Sequence, residues 1–136
     1  MLIFPTYLAP SPLHGLGVFA GERIDAGRVV SRFMPPFDVQ FPAELLPALT
    51  PVEQAYLRHF AYRSKFTRLY VLTGDNDRYM NHSDQPNVSM NPDGTATNVA
   101  LRNIAAGEEL TCDYRAFDAD WRLKLPHLAA LNDVHR

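Results

Sequence analysis

Residues 78–87 read RYMNHSDQPN, and residues 107–114 read GEELTCDY. The first stretch gathers a proline and four amide or imidazole side chains in a tight loop, namely Asn81, His82, Gln85 and Asn87. The second runs from a turn glycine into a predicted strand that ends on Tyr114. The loop alone indicates only a turn, because Asn and Pro are common turn residues. Together, the loop supplies polar groups that can bind a ligand and the strand supplies a phenol beside them, so the pair indicates a functional site.

The bulk composition is that of one ordinary globular domain. At 136 residues and 15.3 kDa the chain can bury one core but not two, so we predict a single domain over residues 1–136. Apolar residues make up 46% and charged residues 21% of the sequence, as in soluble proteins. The net charge of −2 argues against nonspecific nucleic-acid binding by total charge, and we expect no direct nucleic-acid partner.

The cysteine content and the lengths of the apolar runs indicate the cellular compartment. The single cysteine, Cys112, excludes an internal disulfide framework and a cysteine-rich zinc site. The five histidines show no paired ligand spacing, so we expect no bound metal. No apolar run approaches the length of a membrane span, and residues 1–5 lack the features of a signal peptide. We therefore expect a cytoplasmic protein without a membrane partner.

Eleven prolines and seven glycines divide the chain into short pieces, which favours many short strands over a helical bundle. Strands are predicted at residues 17–20, 28–33, 69–72, 87–90, 97–102 and 109–114, with a hairpin turn at 91–94. Residues 42–60 instead repeat apolar side chains at helical spacing, and Thr50-Pro51-Val52-Glu53 resembles a helix N-terminus. In the tail from Asp118, Pro126 interrupts any helix. We predict a mostly β domain with a short helical insert.

Charge is unevenly spread along the chain. Residues 75–120 hold nine acids against three arginines. Such a segment suits a basic substrate, with Asp118 and Asp120 as candidate contacts, and it equally suits a solvated face. Glu108 and Glu109 follow a turn glycine and are interpreted as a surface turn in preference to a catalytic carboxylate pair.

Two further segments carry candidate site residues, each with a plainer alternative. Gly15-Leu16-Gly17 allows close backbone approach to a ligand, but it lacks the third glycine and the flanking elements of a dinucleotide site, and alone it indicates a turn. Asn81 and His82 can bind a ligand or simply satisfy loop backbone groups. The Tyr114 hydroxyl, with an ordinary pKa near 10, is a poor base at neutral pH but can orient a lone pair or leaving group. The chain's aromatic residues are numerous enough to wall a channel around a cation, although most aromatics belong to cores.

Taken together, the three segments are far more specific than any one of them. Gly-x-Gly-Val-Phe-Ala from Gly15, Arg-Tyr-x-Asn-His-Ser-x-x-Pro-Asn from Arg78, and Gly-Glu-Glu-Leu-Thr-x-Asp-Tyr from Gly107 resemble the SET-domain protein-lysine methyltransferases in content, order and separation. The resemblance extends from about Leu13 to Phe117.

The resemblance implies a fold, a cofactor and roles for particular residues. The fold would be a β-clip-like arrangement of several small sheets with a pseudoknot, in which residues 81–87 and 109–114 form the two sides of the crossing. Gly15, Leu16 and Gly17 would present backbone atoms to S-adenosyl-L-methionine. Asn81 would bind the amino-acid end of that cofactor and His82 would support its adenine, largely through backbone. Tyr114 matches the catalytic tyrosine, which the family also places against the cofactor. A variable insert of about residues 35–66 would shape the substrate groove.

Three positions depart from the family's pattern. Asp84 stands where many members carry a zinc-ligating cysteine, which again predicts no metal, and a tail of about residues 115–136 with Phe117 and Trp121 would have to cover the active site. Cys112 stands where a Phe or Tyr usually limits the number of methyl groups added, and it is interpreted either as a channel residue that leaves room or as a small buried apolar residue. Residues 33–36 lack a tyrosine that the family often places there.

Two functions follow as hypotheses. The leading one is an S-adenosyl-L-methionine-dependent methyltransferase acting on the side-chain amine of lysine in a protein, with Cys112, Phe117 and Trp121 as tentative channel residues and a basic lysine-containing segment as the substrate. The alternative is a catalytically weak or inactive SET-like module that binds a protein partner.

Overall fold

The computed structural model describes residues 1–90 and 97–134. Short strands dominate this part of the chain, because prolines and glycines interrupt it every few residues. The strands are β1 (Thr6–Pro10), β2 (Leu16–Ala20), β3 (Val29–Arg32), β4 (Val39–Phe41), β5 (Tyr62–Arg63), β6 (Tyr70–Leu72), β7 (Asn81–His82), β8 (Val88–Met90), β9 (Thr97–Ala100) and β10 (Thr111–Cys112). The helices are α1 (Pro51–Phe60), α2 (Trp121–Lys124) and α3 (Pro126–Val134), with 3₁₀ turns at Ala43–Ala48, Asn76–Tyr79 and Tyr114–Ala116.

The strands form four small sheets. β1 and β2 make an antiparallel hairpin in which Ala9 is opposite Gly17. β9 lies between β3 and β8, and β6 lies between β4 and β5, all in antiparallel pairs. β7 and β10 pair in parallel, with Asn81 opposite Thr111 and His82 opposite Cys112. The mostly β fold with few helices is the one that the sequence predicted.

The parallel pair β7–β10 forms the centre of the molecule, because side chains and β2 hold it on both sides. Asn87 donates its Nδ2 hydrogen to the Glu109 carbonyl at 2.8 Å, and its Oδ1 accepts from the Thr111 amide at 2.9 Å. On the other side, the Leu110 amide donates to the Val18 carbonyl at 2.8 Å. Segment 108–112 therefore lies between β2 and the 81–87 loop, which brings together the three segments singled out in the sequence.

Two apolar clusters support this arrangement. The larger surrounds the crossing and contains fully buried aliphatic side chains from β2, β3 and β8 together with the loop residues Ile24, Ile104 and Leu110. The smaller lies beneath the insert and consists of Leu46, Ala61 and Tyr70 with partly buried neighbours. No helix in the described residues is both long and apolar enough to cross a membrane.

The insert begins its helix where the sequence predicted. Thr50 Oγ1 accepts from the Glu53 amide at 3.3 Å, and Glu53 Oε2 accepts from the Thr50 amide at 2.8 Å, which makes a complete capping box. The preceding segment forms the 3₁₀ turn Ala43–Ala48, so the helical spacing over residues 42–60 belongs to two elements. Pro47 lies inside that turn and prevents one continuous helix.

The other predictions from the sequence are confirmed only in part. Five of the six predicted strands are present with boundaries shifted by one or two residues, but residues 109–114 contribute only the two-residue strand β10. Pro126 does interrupt the tail, since α2 ends at Lys124 and α3 begins at Pro126. The hairpin turn at 91–94 lies outside the described residues. The sequence analysis missed β1, β4, β5 and β7.

Candidate active site

Two glycines shape the turn that enters β2. Gly15 has φ +47°, a left-handed conformation that favours glycine, and nothing lies within 4 Å of the position that a Cβ would take. At Gly17 the situation is the reverse, because an added Cβ would come 2.1 Å from Glu109 Oε1. The first glycine keeps the turn open to an approaching molecule, and the second lets the Glu109 carboxylate lie directly against β2.

Asn81 connects the glycine turn with Glu109 through hydrogen bonds. Its Nδ2 donates to the His14 carbonyl at 2.9 Å, to the Leu16 carbonyl at 3.2 Å and to Glu109 Oε1 at 3.0 Å. Asn81 itself is buried, at 8% exposure. Its side chain therefore fixes the backbone of residues 14–16, in addition to any contact it makes with a ligand.

His82 contacts the backbone of Tyr114. The Tyr114 amide donates to His82 Nδ1 at 3.2 Å, and the two rings lie 5.5 Å apart. His82 Nε2 lies 3.0 Å from Asp84 Oδ1. The His82 ring is thus held between the loop that contains it and the segment that carries the phenol.

The Tyr114 side chain turns inward at the start of a 3₁₀ turn, where the Asp113 carboxylate accepts from the Arg115 amide at 2.9 Å. Its hydroxyl donates to the Met80 carbonyl at 2.6 Å. Burial, with smaller contributions from Cys112 and Asp118, raises the pKa of Tyr114 well above its ordinary value. The phenol is therefore a neutral hydrogen-bond donor and not a base.

Tyr114 also lines a cleft whose wall includes none of residues 14–17 of the glycine turn. The cleft has about 690 Å³ of space between atoms, part of it open to solvent. Its aromatic wall consists of Tyr62, Tyr114 and Phe117; the Tyr62 and Phe117 rings meet edge to face at 4.9 Å, and the Tyr114 and Phe117 rings lie 6.1 Å apart. Cys112 lines the same cleft and is only 4% exposed. Burial raises the pKa of this thiol, so it stays protonated.

The opposite part of the cleft is charged. Asp77 lines it, and desolvation together with the nearby charge of Asp75 raises the Asp77 pKa to about 6. Lys124 enters from α2, with its Nζ 5.7 Å from the centre of the Tyr114 ring. The Lys124 Nζ also donates to the Ala61 carbonyl at 2.7 Å. The cleft thus already contains one ammonium group against an aromatic ring.

Asp118 corrects the sequence interpretation of the acidic segment. Its side chain is 1% exposed, and Oδ1 accepts from the amides of Arg63 at 3.2 Å and Asp120 at 2.9 Å. Its Oδ2 lies 2.8 Å from Lys124 Nζ, and this ion pair compensates the charge of the carboxylate. This carboxylate is therefore not an exposed surface group: it anchors the tail from inside and lies in the wall of the cleft.

The predicted site residues fall into two groups joined by Tyr114. Gly15, Leu16, Gly17, Asn81 and His82 lie together around the glycine turn, and none of them lines the cleft. Of the tentative channel residues, Cys112 and Phe117 line the cleft.

Trp121 is buried at 6% exposure and does not line the cleft. The Arg122 guanidinium lies over its ring at 4.6 Å. Within the described residues, no group of three or more His, Cys, Asp or Glu side chains is placed to hold a metal ion.

Sequence reasoning missed four contributors to the site. Met80 acts through its carbonyl, for which side-chain patterns give no signal. Asp77 and Lys124 reach the cleft through long-range packing. Glu109, interpreted as part of a surface turn with Glu108, could have been found from strand alternation, because it precedes Thr111 by two positions and shares its face.

Comparisons with known proteins agree with this geometry. Residues 15–115 match the family model described as the SET domain. Histone-lysine N-methyltransferase 2D of Homo sapiens is 28% identical over 132 residues, which cover 93% of this chain and 2% of that protein. Histone-lysine N-methyltransferase ATX2 of Arabidopsis thaliana is 31% identical over 132 residues, covering 83% of this chain and 11% of that protein.

A solved structure gives the same fold. A humanized mutant of the Chaetomium thermophilum Polycomb Repressive Complex 2 bound to the inhibitor GSK343 matches 90% of this chain and 16% of the compared chain, with a TM-score of 0.65 and 24% identity. This chain spans only a small part of the proteins that it resembles in sequence.

Proposed function

The chain belongs to the SET-domain family, and we propose that it transfers a methyl group from S-adenosyl-L-methionine to the side-chain amine of a lysine in a protein substrate. One observation carries this proposal. Tyr114 is the residue shared by the glycine-turn group and the aromatic cleft, so a donor on one side and an acceptor on the other would meet at its hydroxyl. Methyl transfer is an in-line displacement, which requires that arrangement and little covalent machinery.

The residues around the glycine turn fit the cofactor. Gly15 leaves the turn free of side-chain atoms, with open space where a Cβ would be. The backbone of Gly15, Leu16 and Gly17, together with Asn81 and His82, would hold the nucleoside and amino-acid parts. The cofactor supplies a methyl group activated on a sulfonium. Asn81 contributes rigidity as well, because its amide holds the His14 and Leu16 carbonyls in place.

Tyr114 would orient the reacting atoms. As a neutral phenol held by the Met80 carbonyl, it presents a fixed oxygen at the junction of the two sides. The Met80 carbonyl accepts from this hydroxyl, so two oxygens would lie beside the path of the methyl group. Such pre-oriented dipoles stabilise charge that is redistributed in the transition state.

The cleft would prepare the acceptor amine. A lysine amine is mostly protonated at pH 7 and must be neutral to accept a methyl group. The Tyr62, Tyr114 and Phe117 rings exclude water, and desolvation lowers the pKa of an ammonium group. Asp77, ionised above about pH 6, would attract a basic segment to the mouth of the cleft. The relatives named above are histone-lysine methyltransferases; for this chain the proposed substrate class is a basic, lysine-containing protein segment.

A second function is favoured by one specific contact. The Lys124 ammonium already lies over the Tyr114 ring and is paired with Asp118. A cleft that keeps its own ammonium suits a module that binds a protein partner without transferring methyl groups. The small Cys112 side chain at the cleft wall fits this alternative equally well.

Calorimetry with S-adenosyl-L-methionine and with its demethylated product separates the two functions. We expect both ligands to bind the wild-type chain and to lose at least tenfold in affinity for Asn81→Ala, since the amide holds the glycine turn. Asn103→Ala is the matched control, because Asn103 caps a remote turn through the Ala26 amide. No binding of either ligand at millimolar concentration contradicts the methyltransferase. Binding without labelled methyl reaching a lysine-rich protein pool supports the module.

A further inference from the structure

A compact group of polar side chains surrounds His82 and is not explained by cofactor contacts. We name it the His82 network, and it consists of His82, Asp84, Asp113, Tyr114 and Arg115. The loop after β7 turns back so that Asp84 Oδ1 lies 3.0 Å from His82 Nε2. The Gln85 amide donates to Ser83 Oγ at 3.0 Å and stabilises this turn.

The hydrogen bonds define the tautomer of His82. The Tyr114 amide can only donate, so His82 Nδ1 must present a lone pair to it at 3.2 Å. The neutral ring therefore carries its proton on Nε2, and this proton points to the Asp84 carboxylate. Asp84 and the Tyr114 amide thus select the same tautomer from opposite edges of the ring.

Arg115 forms ion pairs with the two carboxylates that face the His82 ring. His82 is faced by Asp84 and also by Asp113, whose Oδ1 lies 3.6 Å from Nδ1. Both carboxylates are paired with Arg115, at 3.2 Å for Asp84 and 2.9 Å for Asp113. Although burial opposes it, hydrogen bonding to Arg115 lowers the pKa of Asp113, which is therefore ionised at neutral pH. The guanidinium therefore offsets the negative charge of both carboxylates that face the ring.

We propose that Asp84 is a positioning residue for Tyr114 and acts through the tautomer of His82. This inference rests on the proposed function, because the geometry being positioned is that of the methyl-transfer tyrosine. Asp84 itself is exposed, with 62% of its side chain accessible. A surface pair of this kind adds little to stability. Its effect is instead on the direction of one hydrogen bond, from the Tyr114 amide to the ring.

The first test needs neither cofactor nor turnover. Nitrogen-15 spectra of the histidine rings, with His82→Gln to assign the signal, should show His82 protonated on Nε2 and unprotonated on Nδ1 at neutral pH. Asp84→Ala should give a mixture of tautomers and shift the Tyr114 amide signal. Asp84→Asn should keep the wild-type tautomer, since its amide oxygen still accepts from Nε2–H. A proton on Nδ1 in the wild type, or a single unchanged tautomer in Asp84→Ala, overturns the proposal.

The second test measures methyl transfer at neutral pH. Asp84→Ala should lower kcat/KM about tenfold, and Asp84→Asn should stay within about threefold of wild type, because only the alanine variant removes the acceptor for His82 Nε2–H. Asp25→Ala is the control, since Asp25 forms a similarly exposed ion pair with Arg23 at 2.9 Å.

The two tests separate this inference from the proposed function. Equal losses in Asp84→Ala and Asp84→Asn contradict the positioning role. If the wild-type chain transfers no methyl group at all, the proposed function fails, and the ring spectra still decide whether Asp84 sets the tautomer of His82.

Discussion

Glu109 joins the two predicted halves of the site within one side chain. Its Oε1 accepts from Asn81 Nδ2 at 3.0 Å, and its Oε2 accepts from Ser11 Oγ at 2.9 Å. Gly17 provides the space for this carboxylate. The sequence interpretation of Glu108 and Glu109 as a surface turn holds only for Glu108, which pairs with Arg102 at 2.8 Å. Strand alternation turns the next residue inward.

Gly17→Ala should weaken cofactor binding by at least tenfold. The added Cβ would meet Glu109 Oε1 at 2.1 Å, so the carboxylate must move and release Asn81 and Ser11. Calorimetry with S-adenosyl-L-methionine measures the change. Gly27→Ala is the control, because Gly27 has φ +82° and open space around it, so it tests strain away from the site. Wild-type affinity in Gly17→Ala would show that Glu109 does not organise the cofactor side.

Cys112→Phe should reduce the number of methyl groups added per lysine. Cys112 lines the cleft one residue from Asp113 and two from Tyr114, and a phenyl ring there would occupy space that a methylated amine needs. Mass spectrometry of the modified substrate should show a shift toward monomethyl-lysine. Cys112→Ser, which keeps the volume, should leave the product distribution as in wild type. A distribution unchanged by the phenyl ring would place Cys112 outside the acceptor's path.

The C-terminal tail contains both features that the sequence predicted and features that it did not. Pro126 predicted the break between α2 and α3, because proline lacks the amide that a continuing helix needs. The Thr50 capping box could equally be predicted, since it depends on two residues only three positions apart in the sequence. The position of Lys124 could not be predicted from the sequence. It depends on Asp118, which is buried against the backbone of the distant residue Arg63. β10 is shorter than its pattern, because Asn87 binds the Glu109 carbonyl and Asp113 caps a 3₁₀ turn.

Lys124→Met should destabilise the folded chain by about 3 kcal/mol, because it leaves the Asp118 carboxylate buried without a partner. The double variant Lys124→Met with Asp118→Asn should recover part of this loss, since no uncompensated charge remains. Urea unfolding followed by fluorescence measures both changes. Arg122→Met, on the same helix, should differ from wild type by less than about 1 kcal/mol. A single variant as stable as Arg122→Met would mean that the ion pair is not buried as described.

The protein as a whole was predictable in class but not in detail. Proline and glycine spacing indicated small sheets, and the resemblance to SET domains supplied the crossing. Asn81 and His82 were assigned to a loop, because neither favours strands, yet they form β7 with a partner strand far along the chain. Pairing between two segments that lie far apart in the chain leaves no pattern in the local sequence of either. The position of Asp77 was likewise not predicted, since this half-buried residue lines the cleft from the turn Asn76–Tyr79.

Asp77→Asn should flatten the pH dependence of stability in mildly acidic solution. Desolvation and the Asp75 charge raise the Asp77 pKa from 3.8 to about 6 in the folded chain, so the folded state binds more protons than the unfolded state between those values. The free energy of unfolding must therefore fall as pH rises from about 4 to about 6.

Removing the titrating group should abolish this contribution and raise stability at pH 7 by on the order of 1–2 kcal/mol. Urea unfolding at pH 4, 5, 6 and 7 measures it, with the exposed Asp25→Asn as the control. An identical pH profile for Asp77→Asn and wild type would contradict a raised pKa for the Asp77 carboxylate in the cleft.

The most direct measurement is the rate at which labelled methyl passes from S-adenosyl-L-methionine to lysine in a pool of basic proteins, compared between wild type and Tyr114→Phe. The hydroxyl that the variant lacks is the one held by the Met80 carbonyl where the two sides of the site meet. The account predicts transfer by the wild type and a loss on the order of 10²-fold in the variant, with unchanged affinity for the demethylated cofactor. Tyr70→Phe, which removes a hydroxyl bound to Asp120 outside the cleft, should retain the wild-type rate. Near-wild-type turnover in Tyr114→Phe would contradict the account.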